Sequence, residues 1–205
     1  VSTLIVGLTG SIGTGKSTVS RMLRRLQVPV HESDAIVHQL LAQDTTVIEK
    51  VSQAFPQAVQ RGSINRQLLA QVVFCHSSAL RTLEEILHPA LKEELLSFIA
   101  HHQVEKNPLI VLDIPLLFEK GWQDLCDKVV VTDCDPAIQY QRVMRRPGMT
   151  STLFRGIIVQ QWPAHQKRAR ADYVLDTSKG LMSTFHQLKM IFQGCAKQSQ
   201  SLQPV

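Results

Sequence analysis

An apolar run, Leu4-Ile5-Val6-Gly7-Leu8, leads almost directly into Gly10-Ser11-Ile12-Gly13-Thr14-Gly15-Lys16-Ser17. No other stretch constrains the fold as strongly. Glycines let a backbone turn tightly and bring successive N–H groups onto one anion. In the pattern Gly-x4-Gly-Lys-Ser, the lysine reaches β- and γ-phosphates and the serine hydroxyl can ligate Mg²⁺. Val19, Met22, Leu23 and Leu26 then recur at helical spacing. The N-terminus of that helix would face the phosphates and favour their charge. Residues 11–18 therefore read as the seat of a nucleoside triphosphate. The competing reading is a structural glycine-rich turn, and a strand before it with a helix after it argues for the phosphate loop.

Further apolar runs fall at residues 28–31, 108–114, 128–133 and 172–176. Leu109-Ile110-Val111-Leu112 and Val129-Val130-Val131 are continuously apolar, as expected of parallel strands covered on both faces. Helical patterns separate the runs. This alternation predicts an α/β fold, a five-stranded parallel sheet between helices. The long segment between the second and third strands reads as helical, through Leu40, Leu41, Leu68, Leu69, Val72, Val73, Leu80, Leu83, Ile86 and Leu87. Pro89 is expected to break the last helix and start a new one. So much helix exceeds one crossover and predicts an inserted subdomain. Asp135-Pro136 is a helix start, Pro147-Gly148 a break, and residues 150–170 a cation-rich helical hairpin of the size of a lid.

At 205 residues, 44% apolar and 19% charged, the chain suits one globular domain with insertions. No apolar run reaches the about 20 residues that span a bilayer. No basic-then-apolar segment opens the sequence, so no secretory signal is expected and a cytoplasmic location is. Cys75, Cys126, Cys134 and Cys195 are scattered and expected as free thiols. The net charge of +5 suits a polyanionic ligand or nucleic acid. The cations cluster at Arg142, Arg145, Arg146, Arg155, Lys167, Arg168 and Arg170 without the interleaved aromatics of a base-stacking platform.

No Asn-Lys-x-Asp guanine motif occurs, so a phosphotransferase fits better than a GTPase switch. Asp34 follows the second strand, at the ligand crevice of such sheets. It could take the proton of an attacking hydroxyl or merely cap the next helix. Asp113 ends a strand and could hold Mg²⁺ or serve as a turn residue. The arginine cluster could close over a phosphoryl group or be a solvated face.

Beyond these motifs, the chain resembles the dephospho-CoA kinases. The resemblance rests on Thr9 to Thr18, on Glu32-Ser33-Asp34-Ala35-Ile36-Val37-His38, on Leu87-His88-Pro89, on Asp113-Ile114-Pro115-Leu116-Leu117-Phe118-Glu119, and on Gln161-Trp162-Pro163 with Lys167 to Val174. It implies a P-loop fold that phosphorylates the ribose 3′-hydroxyl of dephospho-CoA with ATP, giving CoA and ADP. The alternative is a kinase for another small alcohol or nucleotide. It implies Asp34, Lys16, Arg142 and Arg146 as catalytic residues. Ser11, Ile12, Gly13, Thr14, Gly15, Lys16, Ser17, Thr18 and Thr177 would hold ATP. Asp34, His88, Pro115, Leu116, Leu117 and Glu119 would lie on the acceptor side, and Ser17 and Asp113 would hold Mg²⁺. The expected parts are a nucleotide core (1–31, 105–141 and 172–205), a helical acceptor domain (32–104) and a lid (142–171). No nucleic-acid or membrane partner is expected, and a monomer is. Glu32, His38, Pro147 and Thr177 depart from the residues usual in the family, Asp, Arg, Asp and Asn respectively. The Thr177 departure predicts altered contacts with the nucleotide base.

Overall fold

The computed structural model describes residues 3–201. In chain order it runs β1 (Leu4–Gly10), α1 (Lys16–Arg25), β2 (Val30–Glu32), α2 (Ser33–Gln43), α3 (Thr45–Ala54), β3 (Val59–Gln60), β4 (Ser63–Ile64), α4 (Arg66–Cys75) and α5 (Ser77–Val104). It continues with β5 (Leu109–Asp113), β6 (Lys128–Asp133), α6 (Pro136–Met144), α7 (Ser151–Val159), α8 (Ala164–Arg170), β7 (Tyr173–Asp176) and α9 (Leu181–Ser201). Two compact units result. One is Val1–His31 with Ile99–Val205, and the other is Glu32–Phe98.

The first unit holds a five-stranded sheet in the order β2-β5-β1-β6-β7. β1 is central and pairs in parallel with β5 (Leu4 opposite Leu109) and β6 (Val6 opposite Lys128). β7 extends the sheet in parallel from β6. All five residues of β5 are buried, which its unbroken apolar run requires. Leu4, Val6, Leu8, Leu109, Val111, Val130 and Leu175 form one core with Val19 and Leu23 of α1 and Leu188 and Phe192 of α9. The predicted fold class and all five strands are found. Residues 142–171, expected as a separate lid, fall inside this same compact unit.

The second unit is mostly helical. Its one sheet is the antiparallel pair β3–β4. The turn between them places Arg61 and Gly62 at φ 50° and 78°, the left-handed values of a tight hairpin. Two-residue strands carry too little alternation to be read from sequence. The expected break at Pro89 does not occur, since α5 runs through it. A proline in a helix removes one hydrogen bond and costs about 3 kcal/mol. Leu83 and Leu87 before it and Leu91 and Leu95 after it are all buried on one face, and that packing keeps the helix continuous.

Among the described residues no helix is long and apolar enough to cross a membrane. Cys126, Cys134 and Cys195 are free thiols, as expected, while the Cys75 side chain lies outside the described residues. Burial pushes the Cys126 thiol up to about 12, so it stays protonated and unreactive.

Candidate active site

The loop after β1 closes where the central strand ends. Gly13 and Gly15 take φ 81° and 91°, which side chains other than glycine rarely adopt. A Cβ on Gly13 would also lie 2.5 Å from Val143 Cγ2. Inside the loop, the Thr14 N–H and hydroxyl both donate to the Ser11 carbonyl, at 3.2 and 2.8 Å. The Thr14 hydroxyl also meets that of Thr132 on β6, at 2.8 Å. Gly15 is the N-cap of α1 and offers no side-chain cap, and no acid stands in the first turn. The first N–H groups of α1 thus keep their capacity for an anion.

Lys16 and Asp113 form an ion pair beneath this loop. The second carboxylate oxygen of Asp113 accepts from the Ser20 hydroxyl. Ser20 lies one helical turn beyond Lys16, a spacing that would have flagged it had the loop lysine been given a partner. Asp113 is 4% exposed, and Ser17 is exposed at the start of α1. Buried His31 of β2 is close enough for Asp113 to raise its pKa, but burial prevails and lowers it to about 4. The imidazole is therefore neutral at physiological pH.

The end of β7 braces the loop. Thr177 is buried, and its hydroxyl donates to the Thr14 carbonyl at 2.8 Å. Arg142 of α6 donates to the Thr177 hydroxyl and carbonyl, both at 2.8 Å. Thr177 was expected beside the nucleotide base; in the structure its hydroxyl is committed to the phosphate loop. Arg146 is exposed and has no ion-pair partner among the described residues. Asp135 caps α6 through the Ala137 and Ile138 N–H groups, with Pro136 in the first turn as the sequence predicts.

The run after β5 stays close to β1, where the Thr9 hydroxyl donates to the Pro115 carbonyl at 3.0 Å. Pro115 and Leu116 are half-buried. Leu117, expected against the acceptor, is fully buried, and its Cδ1 lies 3.1 Å from where a Cβ on Gly7 would stand, so it packs the core. Glu119 accepts the Trp162 N–H at 2.7 Å, and Lys167 Nζ lies 2.8 Å from the same oxygen. Its other oxygen is buried without a hydrogen-bond partner. One oxygen of Glu119, expected on the acceptor side, is thus taken by the protein.

In the second unit, Asp34 is exposed in the first turn of α2 and His88 is half-buried on α5. The Arg66 guanidinium contacts the His38 ring. Burial and then Arg66 hold the imidazole below its usual range, despite Asp34. Arg66 thus places a fixed positive charge beside His38.

A phosphate loop on the central strand of a parallel sheet, with a lysine over a strand-end aspartate, defines a P-loop nucleotide-binding protein. Residues 4–183 match the family described as dephospho-CoA kinase. A dephospho-CoA kinase of Rhizobium meliloti is 43% identical over 188 residues, 92% of this chain and 96% of that one. The crystal structure of TT1252 from Thermus thermophilus superposes with a TM-score of 0.82 at 32% identity, over 95% of this chain and 98% of that one. Dephospho-CoA kinase from Campylobacter jejuni shares the fold, with a TM-score of 0.71 at 23% identity over 94% and 97%. The chain belongs to the dephospho-CoA kinase family. Its reaction is the last step of coenzyme A biosynthesis, the ATP-dependent phosphorylation of the dephospho-CoA 3′-hydroxyl.

Proposed function

We propose that the chain performs this transfer by gripping MgATP on residues 11–18 and offering Asp34 to the acceptor hydroxyl. The uncapped start of α1 carries the reading, because no side chain takes its N–H groups while Lys16 stands beside them. The backbone N–H groups of Gly13, Gly15, Lys16 and Ser17 take phosphate oxygens, with Ser11, Ile12, Thr14 and Thr18 shaping the loop around them. Lys16 turns from Asp113 to the β- and γ-phosphates. Ser17 and Asp113 are hard oxygen donors of the kind Mg²⁺ takes, and they fit it. Held by Ser17 and Asp113, Mg²⁺ would supply neutralisation of the charge developing on the phosphate oxygens.

Asp34 accepts the 3′-hydroxyl proton as the oxygen attacks in line. Arg146 stabilises the spreading charge on the phosphoryl group. Arg142 braces Thr177 and keeps further N–H groups for a phosphate oxygen. His88 of the helical unit and, separately, Pro115 and Leu116 after β5 contact the acceptor, and Glu119 anchors the end of the run that carries Pro115 and Leu116. The helical unit receives dephospho-CoA and residues 142–171 close as a lid. The enzyme acts as a cytoplasmic monomer without nucleic acid.

The test mixes the protein with MgATP and dephospho-CoA, follows ADP and identifies CoA by mass. ADP release dependent on dephospho-CoA is expected. No ADP above the acceptor-free blank overturns the substrate. In the same assay Asp34→Asn is expected to lower kcat by about 10²–10⁴-fold with ATP affinity unchanged. A near-normal kcat removes Asp34 as the base.

A further inference from the structure

The motif Gln161-Trp162-Pro163, between α7 and α8, has so far no part in the reaction. We infer that Gln161 and Trp162 are positioning residues, a two-residue staple that couples nucleotide binding to acceptor binding. The inference rests on the proposed roles of residues 11–18 and of the run Pro115 to Glu119.

The geometry is direct. The Ile12 N–H of the phosphate loop donates to Gln161 Oε1 at 3.0 Å. The Ile12 carbonyl accepts from Gln139 Nε2 at 2.7 Å, so both polar backbone groups of Ile12 are held by side chains. One residue further on, the Trp162 N–H donates to Glu119 Oε1 at 2.7 Å. The Trp162 ring stacks on Phe118, with centroids 5.8 Å apart and planes 14° apart. The Arg170 guanidinium lies over the Trp162 ring at 4.8 Å. Thr9 fixes the start of the acceptor run, and the staple fixes its far end.

Neighbouring Cα atoms are held about 3.8 Å apart by one planar peptide. A shift of Ile12 on nucleotide binding therefore reaches Glu119 through two hydrogen-bonded side chains, those of Gln161 and Glu119, joined by a single peptide. Two ligands that order the same staple bind cooperatively, and such couplings commonly amount to about 5- to 150-fold in affinity.

The test measures the affinity of a non-hydrolysable ATP analogue for the full chain, with and without saturating dephospho-CoA. In the unmodified protein, dephospho-CoA is expected to tighten the analogue at least about fivefold. Gln161→Met keeps the length but removes the accepting oxygen. It should bring the ratio close to one while leaving dephospho-CoA affinity alone unchanged. Gln161→Glu restores an accepting oxygen and should restore the ratio, whatever its charge does to nucleotide affinity itself. Melting curves identify a variant that fails to fold, and Trp162→Phe, which keeps the backbone donor and a ring, then serves in its place with a reduced ratio expected. Equal ratios in the unmodified protein and Gln161→Met overturn the staple, as does a ratio of one in the unmodified protein. If CoA is still made, only the staple falls. If dephospho-CoA neither binds nor reacts, the substrate reading falls and the staple with it.

Discussion

Two lysine–acid pairs stand near the end of β5, and they are built differently. Lys16 with Asp113 sits under the phosphate loop, and the lysine side chain keeps 14% of its surface exposed. Asp113 has a second donor in Ser20, so it would remain satisfied if Lys16 swung away. Lys167 with Glu119 has side-chain exposures of 1% and 9%. Nζ approaches a carboxylate oxygen without aligned hydrogen-bond geometry, and the other oxygen has no partner. The first pair keeps its lysine partly in water, and its acid has a spare donor. A pair that must hold is sealed, and its charges have nowhere else to go.

The comparison breaks most sharply if the first pair proves structural. Lys16→Ala is expected to cut turnover on the order of 10²–10³-fold or more, with little loss of stability. Coupled ADP release and a urea titration on one preparation measure both. A large stability loss with retained turnover would reverse the assignment.

Lys167→Met should do the opposite. Removing one partner of a buried pair costs about 3–5 kcal/mol, because the other charge stays buried. The urea midpoint should fall while the surviving folded fraction still binds ATP. An unchanged midpoint would mean that water reaches Glu119.

His31 sharpens the first region. Its folded pKa of about 4 lies below the unfolded 6.5, so the unfolded chain takes up the proton first. Stability is full above pH 6.5, falls as pH drops towards 4, and levels off below it, by about 3 kcal/mol in all. Urea midpoints from pH 7.5 to 4.5 should fall less steeply in His31→Gln than in the unmodified protein. Parallel slopes would locate the sensitivity elsewhere.

The smallest effect concerns the brace. Thr177→Val keeps the shape but leaves a buried carbonyl and a guanidinium N–H short of a partner, at about 1–3 kcal/mol. ATP affinity should weaken and Thr177→Ser should recover it. If both variants bind ATP normally, Thr177 does not set the loop.

The parallel sheet was legible because β5 and β6 are continuous apolar runs and Gly-x4-Gly-Lys-Ser tells where β1 ends. Asp135-Pro136 announced α6 because cap chemistry is local. The unbroken α5 was not legible, since packing outweighed the local cost of Pro89. In the site, the places of Lys16 and Ser17 at the start of α1 and of Asp113 at the end of β5 were readable from motif and strand-end position. Gln161 was not, because nothing in its neighbourhood says that it meets Ile12. Leu117 and Glu119 were placed on the acceptor side by resemblance; their sequence did not show that Leu117 is fully buried or that Glu119 holds the Trp162 N–H. Contacts between segments far apart in sequence leave no periodic trace.

The central place of β1 bears on how the protein is made. Its hydrogen-bonding neighbours begin at residues 109 and 128, and the loop's brace is residue 177. A ribosome emits the phosphate loop well before β5, β6 and Thr177, the segments that frame and brace it. A nascent or truncated product ending before Thr177 carries the full motif without its support. ATP can therefore reward only a chain that has been extended as far as Thr177, and nucleotide binding reports that the brace has been made.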